Sequence, residues 1–238
     1  MSKLPAELIE EFEIHTGKSA PGVPAVLPAD WNIAPTKKIY IIRHNSQAER
    51  ELVTASWGLI APWSKNDGDA LKSQSIAINA RSESVDEKPT FRNAFKSRRC
   101  LIPADGYYEW ATELAAPSKQ PFYISRTDKK TLLFAGIWDR WISPSGEIQE
   151  SASIITREAV SPLAQIHHRM PTFLPKERWD SWLDQGLQDV SRIREIMNVH
   201  SPAEGIVAHP VSRAVNKVSN NGYELTIPVE LGEPETLF

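Results

Sequence analysis

The order of short apolar runs constrains this chain most. Residues 39–42, 100–102, 122–125, 132–138 and 152–156 are rich in β-branched or aromatic side chains, and Pro, Gly or Asp bounds them. Such runs fit strands with at least one buried face. Residues 51–57 add a further strand with imperfect alternation, placed to pair with 39–42 as a hairpin across residues 45–50. Helical periodicity falls at 90–95, 160–166, 175–183 and 190–197; in the third, Trp179, Trp182 and Leu183 share one side. Strands and helices neither alternate regularly nor repeat, which disfavours a doubly wound parallel sheet and a solenoid. The pattern predicts an α+β fold: a single domain over residues 1–238 with a mixed or antiparallel, barrel-like sheet flanked by helices.

The ends read differently. Leu4, Leu8, Ile9 and Phe12 define one face of an amphipathic helix within residues 1–17, with Ser2 as cap, Pro5 in the first turn and Gly17 as stop. Pro21, Pro24 and Pro28 then impose an extended loop leading into Trp31. Residues 64–68 read as a polar loop, and residues 75–80 as a strand-like run with Asn79 and Arg81 at its end. Residues 210–228 are expected to return one more strand before a frayed tail at 229–238.

At 238 residues and 41% hydrophobic, the chain can bury an ample core. It has no apolar run near the roughly 18 residues of a membrane span, so a soluble, cytoplasmic protein is expected. The lone Cys100 excludes a disulfide framework and a multi-thiolate metal site, and its apolar strand marks it as buried and inert. A net charge of -3 and a pI near 6.1 confine any nucleic-acid site to a local patch. Lys37, Lys38, Arg92, Lys96, Arg98, Arg99, Arg157, Arg213 and Lys217 are candidates for such a patch, although outside the motifs each reads more simply as ordinary solvated surface.

Three polar clusters stand out: Asn79-Ala80-Arg81-Ser82-Glu83, Gly106-Tyr107-Tyr108-Glu109-Trp110 and Ile166-His167-His168-Arg169-Met170-Pro171. Together they hold an amide, a carboxylate, an imidazole and two guanidiniums, a set suited to proton transfer beside a phosphate. The plainer alternatives are that Glu109 pairs with Arg81 or Arg169, that His167 is a satisfied core histidine, and that Asn79 caps a strand. Adjacent residues on an extended segment point to opposite faces, so His167 and His168 make a poor chelate and no metal is expected. Trp63 follows Pro62 near an exposed loop and suits base stacking, Trp110 suits a pocket wall, and Trp57, Trp138 and Trp141 suit the core.

With Trp57-Gly58-Leu59-Ile60-Ala61-Pro62-Trp63, Arg99 to Gly106, Ala135-Gly136-Ile137-Trp138 and Pro210 to Asn216, these clusters resemble the SRAP family of SOS response-associated peptidases, from about Trp31 to about Pro228. The resemblance implies self-crosslinking to abasic sites in single-stranded DNA. The α-amine of a terminal Cys condenses with the ring-opened aldehyde to an imine, and its thiol closes a thiazolidine. It further implies Glu109 and His167 as the proton-transfer pair with Asn79 orienting the linkage, and Arg81, Arg169, Trp63, Trp110 and Thr156 as contacts to the strand. No cofactor is expected, nor a membrane partner; a monomer associated with the nucleoid is. Family members open with Met-Cys-Gly-Arg, whereas this chain opens Met1-Ser2-Lys3-Leu4-Pro5. The nucleophile is therefore expected upstream of the residues present, with Ser2 too far along the chain to reach the pocket. Two alternatives stand beside this reading: a noncatalytic single-strand-binding module, and a peptidase, for which no Ser/His/Asp or Cys/His arrangement is visible.

Overall fold

A computed structural model describes residues 1–14, 26–111 and 119–231. In chain order its strands are β1 (Lys38–His44), β2 (Arg50–Trp57), β3 (Asn79–Arg81), β4 (Arg99–Ala104), β5 (Tyr107–Trp110), β6 (Pro121–Arg126), β7 (Leu132–Ile142), β8 (Ile148–Glu158), β9 (Arg169–Pro171) and β10 (Ile206–Pro210). The helices are α1 (Pro5–Glu11), α2 (Asp67–Ile76), α3 (Pro89–Ser97), α4 (Trp179–Leu183) and α5 (Val190–Met197). The fold is α+β, as the pattern predicted.

Strands β2, β1, β4, β7 and β8 run side by side, all antiparallel, and a parallel pairing of Ser56 with Ser151 and Trp57 with Ala152 closes them into a five-stranded mixed barrel. Closure removes the free edges that an open sheet would expose. Gly58 makes the seam possible. Its N–H donates to the Ala152 carbonyl at 2.7 Å with φ at 111°, and a Cβ there would sit 2.2 Å from the Gln74 carbonyl oxygen. Long β8 also carries β3 in parallel and β9 antiparallel near its end, while β5, β6 and β10 form a separate antiparallel sheet.

Strand periodicity divides the barrel residues between two cores. Ile39, Ile41, Ala55, Ile102, Phe134 and Ala152 belong to the interior cluster. Tyr40, Ile42, Leu101, Leu133 and Ile137 face outward and pack against Leu8 of α1 and Phe12 just after it, Phe95 of α3, Trp182 of α4 and Ile193 of α5. At one end of the interior stands Arg43, only 9% exposed. Its guanidinium meets Glu51 at 2.5 Å and Glu150 at 3.1 Å, and lies 4.0 Å over the Trp138 ring. One side chain thus joins four of the five barrel strands.

Several local expectations are corrected. Arg99 is 2% exposed rather than solvated; it donates to the carbonyls of Phe95, Lys96, Trp182, Asp184 and Leu187, satisfying the carboxyl ends of α3 and α4. Burial pushes its pKa down to about 10, so it stays charged at neutral pH. Arg98 pairs with Asp139 at 2.9 Å. Helix α2 spans the end of the loop read at 64–68 and the start of the strand read at 75–80, and its exposed Leu71 and Ile76 leave no apolar stripe to reveal it; Asn66 caps it by accepting from the Asp69 N–H. Leu4, not Ser2, caps α1. The helix expected at 160–166 is one 3₁₀ turn, Leu163–Gln165, and residues 175–183 split into a 3₁₀ turn and α4. The last strand, β10, precedes residues 211–228, which hold 3₁₀ turns and an isolated Val211–Pro228 bridge. The stop at Gly17, Pro21 and Pro24 of the loop, and residues 232–238 of the tail lie outside the described residues. Among those described, no helix is long and apolar enough to cross a membrane.

Removing Arg43 leaves two poorly solvated carboxylates facing each other. Arg43→Met is expected to lower unfolding stability by about 3–5 kcal/mol, and adding Glu51→Gln to recover part of that loss. Urea denaturation checks both; equal stability of wild type and Arg43→Met would refute the role.

Candidate functional site

At the other end of the barrel interior, Ile39, Trp57, Ile102, Phe134 and Ile154 line a cavity of about 690 Å³. Alternation along each strand explains the placement: Ile39, two positions before Ile41 and four before Arg43, stands at the open end of β1, and Trp57 at the open end of β2. All three polar clusters reach this cavity, with Asn79, Arg81, Glu109, Trp110, Thr156, His167 and Arg169 among its walls.

Each is positioned by a short element. On β3, parallel to β8, Asn79 and Arg81 flank the fully buried Ala80 and stay exposed, and among the described residues no carboxylate forms an ion pair with Arg81. Glu109 sits on β5 opposite Phe122. His167 follows the 3₁₀ turn, its amide donating to the Leu163 carbonyl at 3.1 Å. His167 Nδ1 is 3.6 Å from Glu109 Oε1, too long for a hydrogen bond yet close enough for strong charge coupling. Nδ1 lies 3.2 Å from both the amide and the carbonyl of Arg169, accepting from the first or donating to the second according to the ring's tautomer.

Burial raises the Glu109 carboxyl above the usual carboxylate range, against the opposing pull of His167. The second carboxylate behaves in the opposite way. Arg169 forms a fork on Glu83 at 2.6 and 3.0 Å and holds that acid down to about 2, while its Nη2 donates to the Thr156 carbonyl at 2.7 Å. Glu109 therefore pairs with neither arginine, and Arg169 is engaged by Glu83. Thr156, 9% exposed, stands behind Arg169. Trp110 donates from Nε1 to Asn216 Oδ1 at 2.8 Å. Trp63 is 56% exposed and lies outside the cavity wall. Cys100 is fully buried and its thiol pKa is pushed up by burial, which leaves it unreactive.

His167 and His168 do not diverge. Both rings face the cavity, with centroids 4.3 Å apart, because the segment before β9 is bent rather than extended. Among the described residues no group of three potential ligand side chains gathers to hold a metal.

Sequence reasoning missed three participants. The Tyr108 hydroxyl is buried, lines the cavity and has no hydrogen-bond partner among the described residues; burial pushes its pKa up to about 12. Asp30 and Met1 also line the cavity, and the Met1 amine donates to the Asp30 carbonyl at 2.5 Å, its pKa lowered by burial. Met1 therefore reaches the cavity, whereas Ser2, expected to lie too far along the chain, is not among its walls. None of these contacts carries a local sequence signal, since their partners are distant in the chain.

A barrel open at one end, with an acid, an imidazole and guanidiniums gathered at its mouth, defines a small-barrel protein with a polar cavity. The family model described as SOS response associated peptidase (SRAP) matches residues 1–218, and the chain belongs to that family. It is 35% identical over 195 residues to the Bacillus subtilis (strain 168) abasic site processing protein YoqW, covering 82% of this chain and 84% of the relative. It is 36% identical over 209 residues to the Gallus gallus abasic site processing protein HMCES, covering 79% of this chain and 60% of that longer protein. A crystal structure of a Bacteroides thetaiotaomicron protein superposes with a TM-score of 0.83 at 27% identity, over 97% of this chain and 98% of the other.

The Glu83–Arg169 fork gives a direct expectation. The Glu83 pKa is depressed in the folded state, so its contribution to stability is present above about 4.5 and lost as pH falls toward about 2. In Arg169→Ala the Glu83 carboxyl should titrate near 4.5, its ordinary value. Carbon-detected NMR titration reads this, and a carboxyl still near 2 would show that another group holds it.

Proposed function

We propose that this protein processes abasic sites in single-stranded DNA by forming a covalent link to the opened sugar. The convergence of Glu109, His167, Asn79 and Arg81 on one cavity carries the reading, and the names of the relatives supply the substrate class. An amine at the amino-terminal side of the cavity adds to the C1′ aldehyde, giving a carbinolamine. Glu109, kept protonated by burial to a higher pH than an ordinary carboxyl, gives its proton to the departing hydroxyl, which leaves as water, and an imine forms. His167 moves the proton that opens the sugar ring and the one that reverses the link. Where the amine belongs to a terminal Cys, its thiol adds across the C=N bond, sulfur to carbon and proton to nitrogen, and closes a thiazolidine; proximity favours the closure because both nucleophiles lie on one residue.

Arg81, exposed beside Asn79, and Arg169 take backbone phosphates, which holds a strand without reading its sequence. Trp110 and Trp63 offer ring faces to unstacked bases on either side of the lesion.

The test compares the chain as written with one extended by Met-Cys-Gly-Arg, each incubated with an abasic-site oligonucleotide and run on denaturing gels with and without borohydride. The extended chain is expected to give an adduct without reductant, and the chain from Met1 only when borohydride traps the imine. Glu109→Gln and His167→Ala should each slow adduct formation by about a hundredfold or more. The rate should also fall as pH rises through the raised pKa of Glu109, and Glu109→Gln should flatten that limb. Retention of undamaged strands by both chains with no adduct under any condition would overturn the covalent reading in favour of a binding module.

The strand contacts are tested separately. An Arg81→Ala, Arg169→Ala double variant should lose affinity for undamaged single strands and flatten the salt dependence by about one to two charges. Unchanged, salt-sensitive retention would refute the groove.

A further inference from the structure

Asp105, in the bend between β4 and β5, belongs to none of the roles above. Its carboxylate Oδ2 accepts from the Ser2 amide at 2.6 Å, across 103 residues of sequence, and stands 3.8 Å from the Met1 amine. The bend itself is rigid. A Cβ on the following Gly106 would lie 2.4 Å from the Tyr123 ring, so only glycine lets the chain turn against β6 here. On the far side, Lys3 Nζ reaches Glu11 and the Thr131 hydroxyl, each at 2.6 Å, and the Met1 amine reaches the Asp30 carbonyl. Residues 1–3 are thus tied down from three directions, and Asp105 is the tie that lies in the same connection as the acid: β5 begins two residues later and brings Glu109 to the cavity.

We infer that Asp105 is a positioning residue, a tether that fixes the amino-terminal backbone at the cavity mouth in constant register with Glu109. The inference rests on the proposed imine chemistry for its consequence, because an amine held at a set distance from its proton donor reacts without a further search. It works through hydrogen-bond acceptance rather than through charge. Asp105→Asn keeps an acceptor oxygen for the Ser2 amide, whereas Asp105→Ala removes it.

The experiment takes the chain from Met1, its intact mass confirmed, with both variants. Borohydride trapping on abasic single strands is read as maximal rate and half-saturating DNA, and the adduct is mapped to the amino-terminal peptide. Asp105→Ala should trap about tenfold more slowly, the loss of one hydrogen bond, with half-saturation within about twofold of wild type. Asp105→Asn should keep at least about half the rate. In parallel, an added aminopeptidase should release Met1 about tenfold faster from Asp105→Ala than from wild type, because a released end is a better substrate. Equal release from all three proteins, or an Asn variant as impaired as the Ala variant, overturns the tether. Absence of any adduct from wild type would count against the proposed function, while the release rates still decide whether the tether exists.

Discussion

Arg43 determines which end of the barrel can do chemistry. A five-stranded barrel is narrow, and its interior here is apolar from Ile41 to Phe134. A cation in such a place is tolerated only because Glu51 and Glu150 neutralise it and the Trp138 face covers it. The four groups come from β1, β2, β8 and β7, so forming the cluster requires the barrel to be closed and in register. Replacing it by apolar side chains of the same volume is close to neutral for stability alone, by the general behaviour of buried ion pairs, but forfeits this demand on register. With one end filled, the inward positions at the opposite end, Ile39, Trp57 and Ile102, become the floor of a cavity.

Around that cavity the protein separates two carboxyls, one lining it and one outside it. Glu83, forked by Arg169, is ionised far below neutrality, whereas Glu109, buried and 3.6 Å from an imidazole, is moved up. The two acids are thus held in opposite directions: the first fixes a guanidinium in place, and the second is made a weaker acid by burial. The fork also redistributes charge. Arg169 is compensated by Glu83, so Arg81, with no paired carboxylate among the described residues, supplies the net positive field beside Asn79. For a chain of net charge -3, one uncompensated cation at the mouth of a cavity matters more than the total.

The barrel was legible because its strands alternate or are fully apolar, and because turn residues bound them; Ile39–Ile42 and residues 132–138 announce both. Helix α3, with Phe91, Ala94 and Phe95 on one side, announces itself as well. Helix α2 does not: it buries Ala70 and Gln74 and exposes Leu71 and Ile76, so its sequence carries no period of 3.6. The members of the site were legible as residue types in polar clusters, but not their partners. That Arg169 takes Glu83 rather than Glu109 depends on the pairing of β9 with β8, a strand of three residues that no pattern reveals. Arg99 misled for a related reason: a basic residue at a strand start reads as surface until two helix ends turn their carbonyls onto it.

The bend at His167 and His168 has a chemical consequence as well as a geometric one. With their centroids 4.3 Å apart, the two rings pack against each other and both line the one cavity. Glu109 lies at Nδ1 of His167, while Arg169 presents its backbone amide to that nitrogen and directs its guanidinium to Glu83. An extended segment would have turned the second ring away, and the pair would have been reduced to a single imidazole.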